Sequence, residues 1–115
     1  MNKLGIDIGS STFKYVYLND NNEVINSNYI FHKGKIKKCF KDLIEGIKEN
    51  NDDIEIMLGI TGSLSDGISL KESYGINNNV ALIEGALLKE ENVKSIIELG
   101  AQETKYITNI DKNNL

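Results

Sequence analysis

The sequence of 115 residues contains no tryptophan, no proline and one cysteine. A single cysteine excludes an internal disulfide and favours a reducing, cytoplasmic setting. No apolar run approaches the length that a helix needs to cross a bilayer, so we expect no membrane partner. Residues 1–4 run directly into a strand pattern, which leaves no room for a signal peptide. The absence of tryptophan and proline excludes no function.

A basic surplus is also missing, since 13 Lys and Arg residues face 17 Asp and Glu residues for a net charge of -4. Nucleic-acid binders draw much of their affinity from neutralising phosphates, so the charge argues against such a partner. The locally basic stretch 35–41 falls on an amphipathic pattern, and we interpret its lysines as a solvated helix face. The composition is typical of one globular domain.

Hydrophobic periodicity predicts an α/β fold. Alternation indicates three strands joined as an antiparallel meander, and later segments indicate further strands and a second helix. The predicted strands cover residues 3–8, 13–18, 23–31, 54–60, 93–99 and 105–110. The first helix has an apolar face formed by Ile36, Cys39, Phe40, Leu43, Ile44 and Ile47. The second helix should run from Val80 to about Lys89 and be capped by an asparagine of residues 77–79. This order predicts a mixed sheet with crossover helices.

The turn after the first strand is the first segment with chemical content. Asp7 ends an apolar strand, and Gly9 lets a bound group approach the backbone closely. The N–H groups and hydroxyls of Ser10, Ser11 and Thr12 can surround a phosphate. Asp7 can hold a hydrated Mg²⁺, because that ion keeps several of its waters. A plain hairpin turn with Asp7 as a local cap is an equally weighted alternative.

Two common nucleotide-binding motifs are absent from this turn. The Gly-Lys-Ser/Thr ending of a Walker A loop is missing, and a dinucleotide fingerprint needs its glycines between a strand and a helix. The predicted turn joins two strands, which favours a hairpin type of site.

A second predicted hairpin repeats the design of the first. Glu98 lies in an apolar strand and precedes a turn that contains Gly100, Ala101 and Gln102. We expect the turn to bind phosphate and Glu98 to help hold the metal. Gln102 and Glu103 would orient an attacking water or help hold the metal, and Asp7 and Gln102 are the expected catalytic residues. Both hairpins could then grip one polyphosphate. The alternative is a strand hairpin in which a buried Glu98 pairs with a lysine.

The paired hairpins resemble the phosphate-binding motifs of the actin-like ATPases, the ribonuclease H-like superfamily that includes acetate and sugar kinases, heat-shock chaperones and actin. Within it, the sequence is most similar to the activators of 2-hydroxyacyl-CoA dehydratases and the ATPase subunits of benzoyl-CoA reductases. The family's Gly-Ile-Asp-x-Gly-Ser-Thr/Ser-x-x-Lys segment matches residues 5–14, and its Ile-Ile-Asp-Ile-Gly-Gly-Gln-Asp-x-Lys segment matches residues 96–105. Residues 61–62 resemble its Thr-Gly loop, and residues 84–86 resemble the helix before the second hairpin.

The resemblance implies that residues 1–115 are the N-terminal, phosphate-binding lobe of a longer bilobal protein. That protein would bind ATP and Mg²⁺, take its adenosine pocket from the missing second lobe, and couple hydrolysis to electron transfer into a partner dehydratase or reductase. The family's [4Fe-4S] cluster would find no ligands in this chain, because Cys39 is expected to be a buried inert thiol. An isolated lobe exposes a surface that the second lobe normally covers, through which a homodimer could form.

Several positions depart from the family pattern. Glu98 and Glu103 replace aspartates and Ala101 replaces a glycine, changes that are compatible with nucleotide binding but count against efficient hydrolysis. These departures support one alternative, a degenerate regulatory or docking module. A second alternative, a lobe of a small-metabolite kinase of the sugar or pantothenate type, stays open because such kinases are built on the same lobe. We expect Lys14 only to flank the site and His32 to lie on the surface.

Overall fold

The computed structural model describes residues 1–49, 55–65, 73–100 and 104–113. Two compact units divide the chain, residues 1–75 and residues 76–115. In chain order, the first contains β1 (Asn2–Ile8), β2 (Thr12–Leu18), β3 (Val24–Phe31), α1 (Ile36–Lys48), β4 (Ile56–Thr61) and β5 (Ser73–Gly75), and the second contains α2 (Asn78–Lys89), β6 (Ile96–Leu99) and β7 (Thr104–Ile107).

The first unit is built on a five-stranded mixed sheet with the order β3-β2-β1-β4-β5. The meander of β1, β2 and β3 is antiparallel, whereas β4 runs parallel to β1 and β5 runs parallel to β4. Since β1 has a hydrogen-bonded neighbour on each side, its end is held more firmly than that of an edge strand. The predicted α/β fold with a mixed sheet is confirmed.

The core lies on one face of this sheet. Alternate residues of the central strands are buried there, and α1 packs against them. The buried cluster consists of Leu4, Ile6, Ile8, Phe13, Tyr17 and Ile60, and all six residues predicted for the apolar helix face pack against it. Because side chains alternate along a strand, Asp7 belongs to the opposite face, in register with Lys14 on β2 and Thr61 on β4.

Turn chemistry explains how β2 connects to β3. The Asn19 side-chain oxygen accepts from the N–H groups of Asn21 and Glu23 at 2.9 and 3.0 Å, and Asn22 adopts a positive φ of 62°. This geometry is typical of asparagine in tight turns. The helix α1 carries its lysines outward, with Lys38 bonded to Asp42 at 2.9 Å one turn along, as the solvated-face interpretation predicts.

The short strand β5 was not predicted from the sequence. It has three residues, too few for an alternating pattern to show. The sequence also predicts a strand from residue 93, whereas β6 begins at Ile96, and residue 54 of the predicted fourth strand lies outside the described residues.

In the second unit, α2 begins at an asparagine cap, as predicted. The Asn77 side chain accepts from the N–H groups of Asn79 and Val80. The strands β6 and β7 form a separate two-stranded antiparallel sheet. Beyond its end, the Ile110 N–H donates to the Lys94 carbonyl at 3.0 Å, and the Ile110 side chain is buried. Neither helix of the described ranges is long and apolar enough to cross a membrane.

Candidate functional site

The predicted phosphate turn connects β1 to β2 as a tight four-residue hairpin loop. Ile8 and Phe13 are the last paired residues, and the Gly9 N–H donates to the Thr12 carbonyl at 2.9 Å across the turn. Both Ile8 and Phe13 are fully buried. The turn therefore stands directly on the core, which fixes its base.

Most backbone carbonyls of this turn are occupied by donors from other parts of the fold. The Ile8 carbonyl accepts from the Leu64 N–H at 3.0 Å. His32 supplies two donors, its ring Nε2 to the Gly9 carbonyl at 2.8 Å and its N–H to the Ser11 carbonyl at 3.0 Å. With the Thr12 carbonyl, four of the five carbonyls of residues 8–12 are engaged.

The donors of the same turn are left available. Among the described residues, the N–H groups and hydroxyls of Ser10 and Ser11 have no hydrogen-bond partner, and both residues are half-exposed. A turn whose acceptors are engaged and whose donors are unpaired has the groups that an anion requires. The phosphate-binding role of residues 9–12 and the plain hairpin turn both stay predictions.

Lys14 lies on β2, directly after this turn, and its side chain reaches back to it. Its ammonium donates to the Thr12 hydroxyl at 2.8 Å and lies 3.7 Å from the Asp7 carboxylate. A methyl group added at Gly9 would come within 3.3 Å of the same Nζ. The turn therefore combines outward donors with a positive charge, while the ion pair stays accessible because both side chains are 42% exposed.

His32 is buried, and the prediction of a surface position was wrong. Only 5% of it is exposed, and both ring nitrogens are bonded inside the fold. The Gly34 N–H donates to Nδ1 at 3.0 Å, which leaves Nε2 as the protonated nitrogen that donates to the Gly9 carbonyl. Apart from its position directly after an alternating strand, no sequence feature marks this role.

The Thr-Gly loop after β4 supports the turn from another side. Gly62 adopts a φ of +110°, and a Cβ at this position would lie 2.3 Å from the Ile8 carbonyl oxygen. Only glycine permits this approach and this backbone conformation. The loop thereby brings the Leu64 N–H to the Ile8 carbonyl.

The second hairpin has the same register as the first. Glu98 is paired with Lys105 across β6 and β7, as Asp7 is with Lys14, and four residues again separate the last paired positions. Glu98 is half-buried and Gly100 is exposed. The Lys105 ammonium donates to the Asn79 side chain at 3.4 Å. Hydrogen bonds with Ser95 and Thr108 lower the pKa of Tyr106 on β7.

Three predicted residues of this second turn, Ala101, Gln102 and Glu103, lie outside the described residues. The roles proposed for them, and the convergence of the two hairpins on one polyphosphate, stay predictions.

Of the cofactors implied by the resemblance, Mg²⁺ fits the described residues and the [4Fe-4S] cluster does not. Asp7 is an accessible carboxylate beside the candidate phosphate turn, which suits Mg²⁺ held largely through water. Within the described ranges, no three His, Cys, Asp or Glu side chains gather as a metal cluster would require. Cys39 is half-buried on α1 against the core, so it does not fit a [4Fe-4S] ligand.

A cavity of about 420 Å³ lies between the end of β3 and the start of α1. Its lining includes Tyr15, Phe31, Lys35 and Cys39 but none of residues 7–12. His32 lines this cavity and is also hydrogen-bonded to the turn.

No protein-family model matches the sequence, and neither does any curated protein. Among solved structures, the activator of the 2-hydroxyisocaproyl-CoA dehydratase from Clostridium difficile, with bound ADPNP, superposes with a TM-score of 0.78 at 22% identity over 98% of this chain. Component A of the (R)-2-hydroxyglutaryl-CoA dehydratase from Acidaminococcus fermentans gives 0.74 at 22% identity over 94%. The chain has the fold of the dehydratase activators. It spans 42% of the length of each of these activators, and the predicted actin-like fold is confirmed.

Proposed function

We propose that this chain is the ATP-binding part of an activator of a 2-hydroxyacyl-CoA dehydratase or a related reductase. The turn of residues 9–12 binds the nucleotide's phosphates. Support comes from the fold likeness to two dehydratase activators, one of them described with bound ADPNP. On this proposal, residues 1–115 are the N-terminal lobe of a bilobal ATPase.

One observation carries the proposal. Four of the five carbonyls of residues 8–12 are engaged within the fold, the donors of Ser10 and Ser11 have no described partner, and the Lys14 ammonium contacts the Thr12 hydroxyl of the same turn. A phosphate needs several donors and a positive charge, and it is repelled by unpaired carbonyl oxygens. The turn meets both conditions before any ligand arrives.

Each remaining residue has a role in this proposal. Asp7 holds Mg²⁺ through water, and the ion when bound neutralises the charge of the polyphosphate. The second hairpin contributes Glu98 toward the metal and residues 100–102 toward the phosphates, and Gln102 orients the attacking water. Since longer carboxylates and Ala101 alter that hairpin, we propose that nucleotide binding is retained and hydrolysis is slow.

The proposal assigns the remaining functions of such an activator to a part of the protein outside residues 1–115. The chain spans 42% of the dehydratase activators, so the adenosine pocket, the cluster ligands and the dehydratase contact belong to the remainder. A reducing cytoplasmic setting and the capacity to form a homodimer complete the proposal. Coupling of hydrolysis to electron transfer would require the complete protein.

The test is a titration of the whole chain, which at 12.8 kDa suits amide NMR. Mg²⁺ with ADPNP, and separately inorganic tripolyphosphate, should shift the Ser10 and Ser11 amides first. Gly9→Ala places a methyl group 3.3 Å from the Lys14 ammonium, where phosphate should approach, so its affinity for both ligands should fall roughly 10-fold.

Gly5→Ala, on the strand that leads into the turn, is the matched control, because no described atom lies within 4 Å of its added methyl group. It should bind like the wild type. If neither ligand shifts the turn amides at millimolar concentration, the phosphate role is wrong. If the complete protein also fails to bind Mg-ATP, the result would favour the regulatory or docking module.

A further inference from the structure

We propose that His32 is a positioning residue that sets the direction of the phosphate-binding donors in the turn of residues 9–12. That phosphate is the ligand rests on the proposed function. The effect of His32 on the direction of the turn's N–H groups can be measured in the ligand-free chain.

His32 fixes the direction of two peptide groups in the turn. In a planar trans peptide, a carbonyl and the N–H of the next residue point in opposite directions. The Gly9 carbonyl is directed at the His32 ring, so the Ser10 N–H of the same peptide group is directed away from it. The Ser11 carbonyl is likewise directed at the His32 N–H, so the Thr12 N–H is directed away from it. Two bonds from one residue therefore orient the peptide groups that carry the Ser10 and Thr12 N–H donors, and the Ser11 N–H lies on the peptide group between them.

His32 is itself held in place by hydrogen bonds. Its Nδ1 accepts from the Gly34 N–H at 3.0 Å, and its carbonyl accepts from the Lys35 N–H at 2.8 Å. All four of its polar groups are thus paired, and the ring is buried. A buried donor with its tautomer fixed by a second bond is a rigid anchor. Without it, the Gly9 carbonyl would be free to rotate toward the site, where it would repel a phosphate.

His32 lies 23 positions along the chain from Gly9. Its side chain joins the segment between β3 and α1 to the turn between β1 and β2. The bond is therefore a tertiary contact and not a consequence of the hairpin sequence, so it can be removed while residues 5–14 stay unchanged.

Two substitutions separate the two ring bonds. In His32→Gln, the side-chain amide can still donate toward the Gly9 carbonyl from the position of Nε2. In His32→Asn, the shorter side chain keeps an acceptor near Nδ1 for the Gly34 N–H but does not reach Gly9. Urea unfolding of both variants measures their stability, so that an affinity change can be compared at equal folded fraction.

The measurement is amide NMR of the full chain, first without ligand and then with tripolyphosphate and Mg-ADPNP. His32→Asn should shift or broaden the Ser10 and Ser11 amides and weaken binding roughly 10-fold. His32→Gln should keep the wild-type resonances and bind within about 3-fold of the wild type.

The outcomes are distinguishable. If the wild type binds neither ligand, the proposed function fails, and the ligand-free Ser10 and Ser11 resonances alone decide whether His32 orders the turn. Wild-type resonances and affinity in His32→Asn would overturn the inference. Equal loss of affinity in both variants, in proportion to their unfolded fractions, would also overturn it, because His32 would then only stabilise the fold.

Discussion

The two hairpins of this chain share one sequence design but differ in what surrounds them. In each, an acid precedes a glycine by two residues, and a lysine seven residues after the acid faces it across the strands. The pairs are Asp7 with Lys14 and Glu98 with Lys105. The register and the four-residue loop are therefore properties of the local sequence.

Support from the rest of the fold distinguishes them. The first hairpin stands on buried residues in the five-stranded sheet and receives donors from His32 and Leu64. The second belongs to a two-stranded sheet in which Ile97 and Tyr106 are 66% exposed and Leu99 is 81% exposed. Two strands alone are marginal in water. A motif therefore fixes spacing, whereas tertiary contacts fix the direction of its binding groups.

The largest expected difference between the hairpins is in core packing. Phe13→Ala removes a fully buried ring at the base of the first turn and should lower the free energy of unfolding by about 4 kcal/mol. Leu99→Ala at the base of the second turn should change it by less than about 0.5 kcal/mol, since that side chain is largely exposed. Urea unfolding followed by circular dichroism measures both values. Equal losses would show that the hairpins are supported alike.

The next effect concerns the loop that supports only the first turn. Gly62→Ala combines an unfavourable positive φ with a Cβ 2.3 Å from the Ile8 oxygen, so we expect a loss of about 3 kcal/mol. Gly34→Ala separates the two causes, because Gly34 has a φ of +78° but no described atom within 4 Å of the added methyl group. It should cost about 1 kcal/mol. Similar values for the two variants would leave no role for the contact with Ile8.

The difference in support also explains what could be predicted from the sequence. Alternation and helical spacing reveal the meander, α1 and the turn of residues 9–12, since these depend on neighbours in the chain. The Asn77 cap was predictable for the same reason. The burial of His32 was not, because its bond to Gly9 joins residues 23 positions apart. The contact of the Lys14 ammonium with the Thr12 hydroxyl was not predicted, because motif spacing does not specify side-chain direction.

A smaller effect should separate the two motif lysines. Lys14→Met removes an ammonium from beside the Thr12 hydroxyl, and we expect tripolyphosphate affinity to fall about 10-fold. Lys105→Met should reduce it by less than about 3-fold, because that ammonium is directed at Asn79. Titrations at two salt concentrations measure both, and the Lys14 variant should show the weaker salt dependence. A larger loss in the Lys105 variant would make the second hairpin the principal phosphate site.

The smallest predicted effect compares how the helix of each unit begins. The N-terminus of α2 is capped by the Asn77 side chain, whereas Lys35, at the cap position before α1, makes no side-chain cap and α1 instead packs an apolar face on the core. Asn77→Ala should therefore destabilise α2 by about 1 kcal/mol, and Lys35→Ala should change α1 by less than about 0.5 kcal/mol. Hydrogen exchange of the helix amides reads each helix separately. If Asn77→Ala also accelerates hydrogen exchange in β1 and β2, the two units unfold together. The two hairpins would then not differ in stability independently of each other.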